Sequence, residues 1–132
     1  MNKILLQLVV LFGCVLLHGP AAGADLSDKD KAFLSAYARV QTALAADDLA
    51  GAKSVAGDLG EPDSDLAKAA SLKDARAAFE KLSARAKTLA NGQDGYHVFY
   101  CPMLKKEWVQ TSTVTANPYA GKSMLTCGEI KK

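Results

Sequence analysis

Two cysteines, Cys101 and Cys127, constrain this chain more than any other feature, because joining them would close a loop of about 27 residues. They bracket the stretch from Tyr96 to Gly128, YHVFYCPMLKKEWVQTSTVTANPYAGKSMLTCG. Beyond the first 24 residues, this stretch holds every cysteine, both methionines (Met103, Met124), the only histidine (His97) and the only tryptophan (Trp108). Cys-Pro-Met stands at one end and Met-Leu-Thr-Cys at the other. A closed loop would bring the two pairs face to face, and everything before Tyr96 reads as scaffold.

The N-terminus sets the compartment in which those cysteines are read. Met1-Asn2-Lys3 is followed by an apolar run from Ile4 to Leu17, and then by His18-Gly19-Pro20 and the small-residue site Ala22-Gly23-Ala24. These are the three parts of a secretory signal peptide spanning 1–24, with cleavage after Ala24. The apolar run is too short to span a bilayer comfortably. A minority reading takes Leu11-Phe12-Gly13-Cys14 as a lipoprotein signal with Cys14 lipidated. Against it, Phe12 is bulky and the residues after Cys14 stay apolar. Residues 25–132 are thus expected to form a single periplasmic domain with no membrane span, and that compartment permits disulfides. The formal charge of +2 falls to +1 without Lys3, which gives no case for nucleic acid or an anionic membrane surface.

Before Tyr96 the pattern is helical, with the scaffold covering 28–92. Ser27 and Asp30 make a capping-box-like start, and Phe33, Tyr37, Val40 and Leu44 recur on one face of a helix predicted over 28–46. Asp47 and Asp48 can cap a shorter helix striped by Leu49, Ala52, Ala56 and Leu59, which Gly60-Glu61-Pro62 ends. Leu72, Ala75, Phe79, Leu82, Ala86 and Leu89 then step by three and four up to Asn91-Gly92. Whether 63–70 belongs to that helix stays open, since Ser71 with Asp74 offers a start signal of its own. The stripes are alanine-rich and would make a thin core by themselves. Tyr96, Phe99, Tyr100, Trp108 and Tyr119, five of the eight aromatics after residue 24, are expected to complete it. The expected fold is therefore mainly α: a small helical bundle with the Cys/Met segment 96–128 packed on it as a loop or two-stranded ribbon.

Two chemistries suit that segment. Thiolate and thioether sulfurs favour Cu(I) and Ag(I), so Cys101, Met103, Met124 and Cys127 could form a soft-metal site with His97 as a borderline fifth ligand. Alternatively Cys101 and Cys127 form a disulfide worth about 3.5 kcal/mol, and the methionines fill gaps beside aromatics. On the residues alone the disulfide is the better reading. No phosphate loop, paired-acid motif or serine elbow is present, and nothing indicates a reactive thiolate, so no enzyme is expected.

Tyr100-Cys101-Pro102-Met103, Trp108-Val109-Gln110, Asn117-Pro118-Tyr119, Met124-Leu125 and Cys127-Gly128 occur in that order, after a helix carrying Arg76, Phe79 and Leu82-Ser83. In this the chain resembles a bacterial family of small exported helical domains of unknown function, found alone or fused to membrane-fusion subunits of heavy-metal efflux systems. Phe99 to Met103 is also similar to a short heavy-metal-binding motif of such systems, except that Leu104 stands where that motif has histidine. The resemblance implies copper or silver handling. With it, the expectation shifts to a periplasmic protein that binds Cu(I) or a similar soft metal at Cys101, Met103, Met124 and Cys127, with His97 in reach. It would buffer the metal or pass it to an efflux partner. Tyr100, Trp108 and Tyr119 would shield the site or serve as core. The alternative is a disulfide-stapled interaction domain that docks a membrane-fusion subunit and binds no metal.

Overall fold

The computed structural model describes residues 23–60 and 64–132. Residues 1–22, which hold most of the expected signal peptide 1–24 and the lipoprotein reading at Cys14, lie outside the described residues, as does the stop signal at Glu61-Pro62. The elements are α1 (Asp28–Ala45), α2 (Leu49–Ser54), a 3-10 turn (Ala56–Leu59), α3 (Asp65–Lys68), α4 (Leu72–Ala90), β1 (His97–Cys101), β2 (Lys106–Gln110), a second 3-10 turn (Gly121–Ser123) and β3 (Glu129–Ile130).

Local chemistry sets the helix starts. Ser27 accepts from the Asp30 amide at 3.2 Å and donates to the Asp30 carboxylate at 2.6 Å, so the cap is reciprocal. Ser71 does the same with Asp74 at 3.1 and 2.8 Å, and this start is what separates α3 from α4. The stripe from Leu49 to Leu59 is not one helix. It tightens into the 3-10 turn after Ser54, and Gly60 closes it at φ 78°. The predicted faces are buried: Phe33, Tyr37, Val40 and Leu44 from α1, and Ala75, Phe79, Leu82 and Ala86 from α4.

The expected helical bundle is corrected to an α+β fold. β1 pairs antiparallel with β2 from His97↔Gln110 to Cys101↔Lys106, and with β3 through Phe99↔Ile130 and Tyr100↔Glu129, which gives a three-stranded sheet in the order β2-β1-β3. The reason is volume. Alanine-rich helix faces leave a thin core, and the fully buried Phe99, Trp108 and Val109 of the sheet supply what they lack. A third strand of two residues is too short to carry a period of two, and it begins just past the stretch read as Cys/Met segment.

The residues after β2 wrap over the sheet face that carries Phe99 and Trp108. Those two rings stack at 5.5 Å, and the edge of Tyr119 closes on Trp108 at 6.3 Å. Two buried amides hold the wrap. Gln110 accepts from Trp108 Nε1 and the Ala116 amide while donating to the carbonyls of Ser112 and Val114. Asn117 accepts from the amides of Tyr119 and Ala120 and donates to the Cys127 carbonyl. Gly121, at φ 57°, lies so close to the Asp47 carboxylate and the Arg76 guanidinium that a Cβ there would have to displace that ion pair.

A buried chain of hydroxyls ties sheet, wrap and both long helices together. Val109 N donates to Tyr37 Oη at 3.1 Å, Tyr37 and Ser83 are 2.7 Å apart, Ser83 and Tyr119 are 3.1 Å apart, and Tyr119 Oη reaches the Glu107 carbonyl at 3.0 Å. An amide can only donate and a carbonyl can only accept, so Val109 gives its proton to Tyr37 and the Glu107 carbonyl accepts from Tyr119, with the Ser83 hydroxyl between the two phenols. Burial pushes both phenols above their ordinary range, so they stay neutral. Ser83→Ala is expected to cost about 2 kcal/mol, because it leaves two tyrosine hydroxyls short of a partner. The check is a lower urea midpoint at unchanged slope.

Candidate functional site

Cys101 ends β1 on its buried face, and Cys127 sits in the turn closed by its own amide on the Met124 carbonyl at 3.0 Å. The two are joined as a disulfide with Cα atoms 5.6 Å apart, inside the usual range for such a bridge. Cys101 is fully buried and Cys127 half-buried. Both sulfurs are therefore tied to each other, and in this state neither is a thiolate ligand or nucleophile.

The methionines are not in the core. Met103 is 74% exposed at the tip of the β1–β2 hairpin, and Met124 is half-buried beside the disulfide. Both line one shallow surface groove with Pro102, Cys127, Gly128 and Glu129. His97 lies elsewhere: it opens β1 opposite Gln110, about 13 Å along the strand from Cys101. Among the described residues, no group of three or more histidine, cysteine and carboxylate side chains could hold a metal. Of the five anticipated ligands, the structure brings Cys101, Met103, Met124 and Cys127 together and leaves His97 apart.

The aromatics divide. Trp108 is buried and Tyr119 is half-buried in the core through the contacts given above, whereas Tyr100 points away from that face, beside Lys105 and Lys106. What sequence reasoning missed are the long-range contacts of polar side chains that organise the wrap. Arg76 donates to the carbonyls of Pro118 and Leu44 at 2.8 and 3.1 Å and to Asp47 at 2.6 Å. Asp47, at φ 60°, also accepts from the Lys122 amide at 3.1 Å. Arg76 first, then that amide, holds the Asp47 carboxyl below its usual range. No local pattern announces a contact between α4, the end of α1 and residue 118.

Glu107 shows the same kind of joining, since its carboxylate bridges Lys131 and Lys87, which hold it below the ordinary glutamate range. A depressed carboxyl contributes stability above its unfolded pKa of about 4.3, and that contribution is lost as pH falls through the folded value. Between pH 6 and pH 3, the stability advantage of the wild type over Glu107→Gln is expected to shrink. Parallel urea midpoints across that range would exclude it.

Among the described residues, no helix is long and apolar enough to cross a membrane. Comparison with known proteins leaves the site to be judged on its geometry, because no family model, no curated protein and no solved structure matches this chain.

Proposed function

We propose that this chain is a non-catalytic, disulfide-stapled interaction domain working in the oxidising space outside the cytoplasmic membrane. The observation that carries this reading is the Cys101–Cys127 disulfide, one sulfur of which is fully buried. Exchange at half-buried Cys127 has to expel Cys101 Sγ, whose burial disfavours the thiolate and so slows the step. The staple, the two buried amides and the hydroxyl chain all serve rigidity, which suits a surface that must present a fixed shape to a partner. The leader-like N-terminus and the resemblance to exported domains point the same way. The test is a photo-crosslinking amino acid placed in living cells at the exposed positions Lys29, Met103 and Lys105. A discrete adduct of higher mass from at least one position is expected, and none from any of them would overturn the reading.

One observation favours a second reading. Met103 is a large apolar side chain held in solvent next to Met124, and core filling does not explain it. Thioethers are soft ligands that survive where thiols oxidise, so the groove can offer Cu(I) or Ag(I) two sulfurs without the cysteines. The resemblance to domains of heavy-metal efflux systems supports this, with a membrane-fusion subunit as recipient. The oxidised protein would then take one Cu(I) from a chromophoric chelator, and Met103→Leu with Met124→Leu would take none while changing stability by less than about 0.5 kcal/mol. No uptake by the wild type leaves the interaction domain alone.

A further inference from the structure

The seam between α4 and β2 carries a charge distribution that the rest of the chain does not share. Three depressions of about 490, 280 and 500 Å3 run along it in sequence. The first and second share Glu80 and Lys106, and the second and third share Lys87 and Glu107, so they form one groove. It follows α4 from Lys73 to Asn91, a length of about 27 Å.

Its cations are Lys73, Arg76, Lys87, Lys105, Lys106 and Lys131. Against these six stand three carboxylates: Glu80 and Glu107 in the lining, and Asp47 behind Arg76. From Asp25 onward, the remaining residues hold nine cations and eleven carboxylates. A chain almost neutral in total thus concentrates its positive charge along one groove.

The groove's ion pairs hold cations in place without using up the charge. Glu80 fixes Lys106, and Glu107 is shared by Lys87 and Lys131. Lys73 and Lys105 are exposed, and neither has an ion-pair or hydrogen-bonding side-chain partner among the described residues. Between the charges lie half-buried apolar surfaces, Leu104 and Tyr119 at one end, Tyr100 in the middle and Val98 at the other. Cations alternating with apolar patches match a ligand that alternates carboxylates with apolar side chains.

We propose that the α4–β2 seam is a docking groove for an acidic, amphipathic polypeptide segment of a partner protein. This rests on the interaction-domain reading and names the surface and the chemistry of the partner. It is independent of metal, since the groove shares no lining residue with the Met103–Met124 groove. The two surfaces meet at the hairpin turn, where Met103 faces one and Leu104 and Lys105 face the other.

The experiment uses the oxidised, metal-free protein and a fluorescein-labelled peptide of about twelve residues mixing glutamate and leucine, read by fluorescence anisotropy. Saturable binding is expected that weakens with salt and falls about tenfold or more when Lys73→Glu and Lys105→Glu are combined. Lys29→Glu with Lys68→Glu changes net charge equally at exposed sites outside the groove's lining, and should leave affinity within about twofold of wild type. Both double variants change exposed side chains, and unchanged circular dichroism confirms that they fold. Absence of binding, equal loss in both double variants, or equally tight binding of an oligothymidylate of the same length would each overturn the proposal. Crosslinks in cells from positions 29 or 103 together with a failed peptide titration would sink the groove and leave the interaction domain standing.

Discussion

Replacing Trp108 by alanine is expected to lower stability by about 4 kcal/mol, the largest effect of any single side chain here. Trp108 is fully buried, stacks on Phe99 across the β1–β2 pair and takes the edge of Tyr119 from the wrap. Its Cη2 atom lies within clashing distance of where a Cβ on residue 128 would sit, so the glycine after Cys127 leaves room for the ring. Truncation removes a group that touches sheet, wrap and the approach to the staple together, and rigid surroundings will not collapse into the space. Gln110 Oε1 keeps the Ala116 amide as a donor, so the cost comes mainly from cavity and lost contact. The chain has no other tryptophan, so unfolding must be followed by circular dichroism rather than fluorescence. For a domain of this size the melting temperature should fall by roughly 20 °C. A drop under about 1 kcal/mol would show that the wrap does not pack as described.

Combining Cys101→Ala with Cys127→Ala is expected to cost about 3.5 kcal/mol, from the entropy regained by an unfolded chain no longer closed over 26 positions. The loss should appear mostly in the unfolded state, so near-native circular dichroism is expected at low temperature. A second measurement separates a staple from a working thiol pair. A reductant reaches half-buried Cys127 first and must expel the buried Cys101 sulfur, which makes native-state reduction slow. Reduction by dithiothreitol should therefore accelerate in step with urea-driven unfolding. Quick, complete reduction of the folded protein would revive thiol exchange as a function.

Elements written in local sequence were legible. The faces of α1 and α4 follow from spacings of three and four, and their starts from Ser27 with Asp30 and Ser71 with Asp74, because both signals act within one helical turn. The candidate disulfide was legible too, since only two cysteines occur after residue 24. The third strand was not, because Glu129–Ile130 is defined by a partner some thirty residues earlier rather than by any pattern of its own. Arg76 offers a similar case: its position beside the helix stripe is visible, but its acceptors at residues 44, 47 and 118 are not.

By itself, the sequence determined the two long helices with their buried faces and which two sulfurs could meet; of the five C-terminal aromatics it expected in the core, Tyr100 turns away. Tertiary structure alone decided that the fold is α+β, that Met103 faces solvent while Trp108 does not, and that lysines from residues 73 to 131 line one groove. Periodicity reports what a residue does within its own turn or strand. Exposure and charge clustering depend on which distant surface arrives opposite, and that is set by packing the thin helical core against a sheet.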